Sequence, residues 1–424
     1  MSDPALSRFT ELFGPEFGHG KAFDLQQLRG ALAALGAPQD DLPPVLHVAG
    51  TNGKGSTIAF LRAIAEAQGL SVHAFTKPHL FALRERFLVA GEPVNDEALI
   101  AAAQRVAQAG AGLTQFDAQV AAALLLFAET PADLVLLETG MGGRADSTNV
   151  IEAPALSILT PVGLDHQDAL GAMLEDIAAH KAGIIKRGAP AITARQEPEA
   201  MAIIEAEAAR WGVALWRQGV EWDAFAQNGR LVVQTETRAL DLPMPGLNGP
   251  HQIDNAGLAA ASFLATGFEI SDDAFARGVA SASWPGRLQA LTKGALAAPV
   301  LAAGGEVWVD GGHNAHAAQA LARALADMRR RAPRETVLIV GMRARKDAAA
   351  FIGALAQSAA RLIAVPLRED HIAPDALTTL ARTAGMNAAA ASSLDDAMKH
   401  AAQFPAPRVL IAGSLLLAAE ALGS

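Results

Sequence analysis

The segment Val45-Leu46-His47-Val48-Ala49-Gly50-Thr51-Asn52-Gly53-Lys54-Gly55-Ser56-Thr57 constrains this chain more than any other. A mostly apolar run feeds a glycine-rich turn, and a lysine, glycine, serine and threonine then open an Ala/Leu-rich stretch. That order predicts a buried strand, a tight turn and a helix from about Lys54 to Gln68, stopped at Gly69. The amides of the turn and the positive end of the helix form a site for an anion. Lys54 adds a point charge suited to phosphate. The segment departs from the common G-x-x-x-x-G-K-[ST] form, because Val48 holds the place of the first glycine and Gly55 separates Lys54 from Ser56.

Everything else must be arranged around such a unit, and 424 residues allow two domains at about 150 residues each, with large α/β domains running longer. Hydrophobic residues make up 51% of the chain, enough for helices packed on a buried sheet. The net charge of −10, with no basic cluster to offset it, argues against a nucleic-acid-binding surface. Without cysteine there is no disulfide, thiolate metal site or thiol nucleophile. Residues 1–16 mix Asp3, Arg8 and Glu11 with apolar residues and do not form a signal peptide. No stretch reaches the roughly 20 apolar residues of a membrane span, so a cytoplasmic, soluble protein with no membrane partner is expected.

Strand and helix patterns alternate along the chain. Strands are expected at 45–48, 71–75, 133–138, 155–160 and 190–193, with helices at 54–68, 95–109, 115–129 and 173–186 between them. Residues 5–14 and 24–36 read as short helices, 84–89 as extended, 230–242 as a hairpin, and 250–266 and 271–280 as helices. Trp284-Pro285-Gly286-Arg287 punctuates the chain, 295–305 is rich in small residues and loop-like, and the domains divide into 1–290 and 291–424. Beyond that point the strand-helix rhythm resumes to the C-terminus. Alternation of this kind implies parallel β-α units, whose ligands gather beyond the carboxyl ends of the strands.

Those ends carry polar clusters. Glu138, in Glu138-Thr139-Gly140-Met141-Gly142-Gly143-Arg144, closes an apolar strand where a carboxylate beside a phosphate turn can hold magnesium; a merely solvated strand-end glutamate is the plain alternative. Asp146, Thr148 and Asn149 continue this loop, some of them to satisfy its backbone. His166 follows the next strand end, and Lys181 sits in an Ala/Ile-rich stretch, where from the residues alone its side chain is expected to snorkel to solvent. Gln252 and Asn255 share one helix face, able to read an adenine edge or to cap the helix. Arg287 presents a fixed cationic fork suited to phosphate. Asp310, in Asp310-Gly311-Gly312-His313-Asn314, could take a ribose hydroxyl or order a metal-bound water, while Asn314 suits a helix cap.

Taken together in order and spacing, residues 50–56, 138–144, His166 with Lys181, His251-Gln252 with Asn255, Pro285-Gly286-Arg287 and 310–314 resemble the folylpolyglutamate synthase/dihydrofolate synthase family of the Mur ligase superfamily. The resemblance covers nearly the whole chain. It implies an α/β fold, with a Mur-ligase-like P-loop nucleotide-binding domain and a smaller C-terminal α/β, Rossmann-like domain. The implied activity is an ATP- and magnesium-dependent ligase, joining L-glutamate to dihydropteroate or a folate through an acyl phosphate. By the same resemblance Gly50, Thr51, Asn52, Gly53, Lys54, Gly55 and Ser56 cradle ATP, and Asn255, Arg287, Asp310 and His313 contact it across the domain cleft. Ser56, Glu138, His166 and a carbamylated Lys181 would hold one or two magnesium ions, and Lys54, Lys181, His166 and Arg287 would serve catalysis. A monomer is implied.

Three positions depart from the family pattern. Lys77 replaces the serine of Ser-Pro-His, so that either water completes the metal shell or the lysine charge takes over part of the metal's role. The pterin-side segment reads Thr114-Gln115-Phe116-Asp117 in place of Thr-Phe-Phe-Glu, and His180 stands where a glutamate commonly precedes the modified lysine. The first two departures leave a non-folate acid open as acceptor. A nucleotide-binding protein without turnover is the remaining alternative.

Overall fold

The structure, a computed structural model, describes residues 3–16 and 24–424. It divides into two compact units. The first runs to Gly246 and resumes at Ile253–Ser283; the second comprises Leu247–Gln252 and Trp284–Ser424. Gln289–Ala290 pairs antiparallel with Glu306–Val309 in the second sheet, so the second unit begins earlier than the 290/291 division expected from sequence.

In the first unit, Val45–Ala49 lies inside an eight-stranded sheet, parallel to Leu134–Glu138 on one side and to Leu156–Leu159 on the other. Val72–Phe75, Ala191–Thr193 and Leu215–Arg217 extend the parallel part, and Phe87–Val89 with Glu92–Pro93 form an antiparallel edge. Every residue of Val45–Ala49 and of Leu134–Glu138 is buried, as expected for strands covered by helices on both faces. The neighbours of Val45–Ala49 come from later in the chain on both sides. The turn that follows it therefore opens at a place where connections diverge, the usual ligand position in such sheets.

The helix Gln115–Ala128 shows how the core is built. Thr114 and Asp117 form a reciprocal capping box, Thr114 Oγ1 accepting from the Asp117 amide and Asp117 Oδ2 from the Thr114 amide. Ten of its residues are buried, eight of them in a hydrophobic cluster that also contains Leu28, Leu99, Phe75 and Leu137. The helix is apolar nearly all round because it is covered nearly all round.

The region after Leu215–Arg217 holds a three-stranded antiparallel sheet, Trp222–Gln227, Arg230–Thr235 and Ala239–Leu242, one strand more than the expected hairpin. In the second unit a six-stranded sheet is parallel except for the short Gln289–Ala290 strand. Two of its elements differ from expectation. Ala298–Ala302 is a short helix, started by Pro299 within its first turn, where a loop was expected. Asn387–Ala390, three of whose four residues are alanine, forms an edge strand through pairing with Arg361–Ala364.

Candidate active site

Gly50 has φ 149°, and a Cβ there would stand 1.8 Å from Thr160 Oγ1, so only glycine fits the chain against the neighbouring strand. Gly53, in the left-handed region at φ 93°, begins the helix Lys54–Gln68 with no side-chain cap on its first amides. Those amides are the donors that an anion can satisfy. The turn is held from the side, with the Thr51 and Asn52 amides on Pro161 O at 3.0 and 3.4 Å. Thr51 Oγ1 also donates to Gly163 O at 2.9 Å.

Two lysines converge on the same carbonyl. Lys54 Nζ donates to Gly50 O at 3.1 Å and to Thr51 O at 3.3 Å; Lys181 Nζ donates to Gly50 O at 2.8 Å. Lys181 is 5% exposed, so it does not snorkel, because the helix Leu174–Ala182 turns it inward onto the phosphate turn. Burial, and then the neighbouring Lys54 ammonium, push the Lys181 amine down to about 7. The amine is thus shared between charged and neutral forms near neutral pH.

Glu138 is buried at its strand end, with Oε1 3.9 Å from Lys54 Nζ and Oε2 accepting the Lys77 amide at 3.1 Å. What meets Glu138 at the position of the family serine is the backbone of Lys77. The Lys77 ammonium lies 3.4 Å from Glu16 Oε1 and 4.3 Å from the centre of the Phe116 ring. Phe116 in turn sets the far edge of its ring against Gly140, where a Cβ would come within 2.3 Å of the ring. Glu16 also takes two bonds from the buried Arg86 guanidinium, at 2.7 and 3.1 Å. Burial would raise the Glu16 carboxyl, but Lys77 and Arg86 outweigh it and hold the group at about 2.

Ser56 is buried in the first turn of the helix. His166 is exposed, with φ 53°, at the start of the short helix Gln167–Leu170. Among the described residues no group of three or more His, Asp or Glu side chains is gathered as for a metal. The donors present nevertheless suit magnesium. The Ser56 hydroxyl and Glu138 carboxylate are hard oxygens beside an anion site, and magnesium commonly takes one or two protein carboxylates, phosphate oxygens and water.

Asn255, from the helix His251–Thr266, belongs to this site, since its Oδ1 lies 2.7 Å from where a Gly53 Cβ would be. Arg287, Asp310 and His313 lie in the second unit. Asp310 accepts the Leu288 amide on Oδ2 at 2.8 Å and the Gly312 amide on Oδ1 at 2.6 Å, so its first role is to order the Gly-Gly turn. Arg287 approaches that turn, its Nη1 3.1 Å from where a Gly311 Cβ would stand. His313 Nδ1 donates to Gly311 O at 3.0 Å, and Asn314 caps the helix Ala315–Arg331. Gln252 Nε2 meets the His251 ring at 3.1 Å.

Sequence reasoning missed several side chains that shape the site. Thr160 walls the Gly50 turn, and Gln196 holds the next loop by accepting the Val162 amide and donating to Thr160 O. Glu16 pairs with Lys77 from far away in sequence, and is itself held by Arg86, which also donates to Gln119. His47 alone left a visible trace, as a polar residue within an apolar strand.

The arrangement can bind a polyphosphate at an uncapped helix start, neutralise it with lysines and offer a carboxylate to a divalent cation. The Mur ligase middle domain matches residues 48–263, and the Mur ligase glutamate ligase domain matches 298–415. The dihydrofolate synthase/folylpolyglutamate synthase of Bacillus subtilis is 36% identical over 319 residues, 71% of either chain. The folylpolyglutamate synthase of Lacticaseibacillus casei is 32% identical over 422 residues, covering 94% of this chain and 93% of its own. Escherichia coli FolC in complex with DHPP and ADP superposes with a TM-score of 0.87 at 30% identity, over 100% of this chain and 97% of that one. The Yersinia pestis bifunctional enzyme complexed with AMPPNP and Mn gives a TM-score of 0.86 at 29% identity, over 100% and 99%. With both Mur ligase domain types in order and likeness over the full length, the chain belongs to the folylpolyglutamate synthase/dihydrofolate synthase family.

Proposed function

We propose that this chain is an ATP- and magnesium-dependent ligase that joins L-glutamate to the carboxylate of dihydropteroate, of a folate, or of both. The observation that carries this reading is the uncapped helix start behind Gly53, with Lys54 and Lys181 converging on Gly50 O and Glu138 beside Lys54. Relatives named for this activity, and a related structure bearing Mn, AMPPNP and L-glutamate, support it.

In the first step an acceptor carboxylate oxygen bonds to the γ-phosphorus of ATP while the bond to the ADP oxygen breaks, giving an acyl phosphate. In the second, the glutamate amine adds to the acyl carbon; the tetrahedral intermediate expels phosphate and loses a proton, leaving the amide. No protein nucleophile is needed, and the work is positioning and charge neutralisation. The 50–56 amides and Lys54 hold the transferred phosphate. By the family resemblance Asn255, Arg287, Asp310 and His313 would serve the nucleotide. Ser56, Glu138 and His166 would hold magnesium, which when bound offsets the negative charge on the phosphates.

Lys181 is read as carbamylated and supporting a second magnesium. A buried amine near pKa 7 is available as the neutral nucleophile that carbon dioxide requires. The resulting carbamate would set a negative charge beside the Lys54 ammonium in place of a second positive one. Labelling with carbon-13 bicarbonate tests it, an NMR carbamate signal absent from Lys181→Ala being the expected result.

A second reading keeps the chemistry and changes the acceptor to a non-folate acid. It is favoured by the Lys77 ammonium over Phe116, at the segment the family pattern assigns to the pterin. Phosphate release from ATP, magnesium and glutamate decides between them, with dihydropteroate, folates or a panel of other acids added in turn. Release with dihydropteroate or a reduced folate is expected. Release only with other acids would move the chain to the second reading, and absence of ATP binding would remove both.

A further inference from the structure

His47 lies in the buried strand Val45–Ala49 and has no exposed surface. Its Nε2 is 2.8 Å from Thr148 Oγ1, and Thr148 Oγ1 donates to Asp146 Oδ1 at 2.6 Å. A threonine hydroxyl has one proton, and a carboxylate oxygen can only accept it. The imidazole must therefore be the donor at Nε2, which leaves Nδ1 as a bare lone pair. Nδ1 is buried and has no hydrogen-bond partner, and a buried acceptor without a partner is less unusual than a buried orphan N–H. Burial, reinforced by Lys186, pushes the ring down to about 3, in accord with a neutral ring.

The relay ends on the residue that closes the glycine-rich turn. Asp146 Oδ2 accepts the Met141 amide at 2.7 Å, Oδ1 accepts the Thr148 amide at 3.0 Å, and the Asp146 amide donates to Gly143 O at 3.0 Å. Asn149 ties the same loop to Arg144 O and Gly183 O, and Ser147 ties it to Asp117. Gly140, in this turn, is the glycine on which Phe116 packs. The nucleotide turn has its own ties to Pro161 O and Gly163 O, and it shares the Lys181 segment with this loop, whose Arg144 amide donates to His180 O. Within the 138–144 turn Asp146 bonds Met141 and Gly143, next to the Gly140 that meets Phe116, and not Glu138, so a change in the relay acts first on the Phe116 side.

We propose that His47 is a positioning residue for the acceptor: by donating to Thr148 it directs the threonine's single proton onto Asp146, and so sets the 138–144 turn that backs Phe116. The role in turnover rests on the ligase reading; the hydrogen-bond relay does not.

The test pairs substitutions that keep or delete each link. His47→Gln retains an N–H donor at about the reach of the ring Nε2, whereas His47→Leu fills the space without one. Thr148→Ser keeps the hydroxyl and Thr148→Val removes it. Steady-state rates are measured with ATP, magnesium, glutamate and the acceptor that wild type uses fastest. His47→Leu and Thr148→Val should raise KM for the acceptor about tenfold, the worth of one buried hydrogen bond, while KM for ATP stays within about twofold. His47→Gln and Thr148→Ser should recover most of the loss, and the Leu/Val double variant should be no worse than either single one. Nitrogen-15 NMR of the wild-type ring should show the neutral Nε2–H tautomer from about pH 5 to 8. Equal rises in both KM values, failure of the Gln and Ser variants to recover, or a ring protonated at Nδ1 would overturn the proposal. If wild type turns over no acceptor, the ligase reading fails, and the NMR measurement still decides the relay.

Discussion

A methyl group at Gly50 would meet Thr160 Oγ1 at 1.8 Å and Thr160 O at 2.9 Å, on a backbone at φ 149°. One partner is backbone and cannot swing aside, so steric crowding and dihedral strain act together, at roughly 1–3 kcal/mol each. Gly50→Ala should lower the melting temperature and weaken ATP binding; unchanged values for both would mean the turn is looser than drawn. Gly353 is the internal contrast, since a Cβ there meets nothing within 4 Å inside the helix Ala348–Leu355. Gly353→Ala should stabilise by about 0.5–1 kcal/mol through lower chain entropy. Lys54 and Glu138 test the chemistry instead. Lys54→Ala and Glu138→Gln should each cut kcat by about 10²-fold or more with the far-UV circular dichroism unchanged. Near-normal turnover at saturating ATP and magnesium in either variant would refute their assignment.

Elements are held together at the site by groups that sequence order keeps far apart, and Glu16 is the clearest case. It joins the helix-turn Leu83–Arg86 to the Lys77 segment through one carboxylate. Its pKa is about 2 folded against 4.5 unfolded, so the unfolded chain binds more protons between those values. Stability from this group is fully present above about pH 4.5 and is lost as pH falls through about 2. The shift is worth on the order of 3 kcal/mol. Denaturant titrations of wild type and Glu16→Gln should therefore diverge above pH 4.5 and converge toward pH 2; a gap that persists at pH 2 would assign the effect to packing. The same separation explains what could be read in advance. Continuous apolar runs such as Leu134–Glu138 announce buried parallel strands, and glycine patterns announce turns. The Glu16–Arg86–Gln119 grip has no local signature, because its partners come from three separate elements. Lys181 misled because snorkelling is the ordinary outcome for a lysine among alanines, and only the fold aims it at Gly50 O. Asn387–Ala390 lacks β-branched residues and becomes a strand by tertiary pairing.

At the level of the whole molecule, two compact units share one chain, and the phosphate turn belongs to the first of them. A ligand that binds only the folded form stabilises it by mass action, by about 2.7 kcal/mol at a hundred times its Kd. ATP with magnesium should therefore raise the unfolding temperature of wild type in calorimetry. Chains of more than one unit need not unfold in a single step. If two transitions are resolved, the increment tied to the phosphate turn belongs to the one that also exposes the core around Leu137 and Val120. Lys54→Ala separates binding from folding. The lysine sits on two carbonyls of the turn but holds up no core residue, so the ligand-free transition should stay within about 2 °C of wild type while most of the ATP increment disappears. A variant that kept the full increment would show that the nucleotide is held elsewhere, and the catalytic reading of Gly50, Lys54 and Glu138 would fall with it.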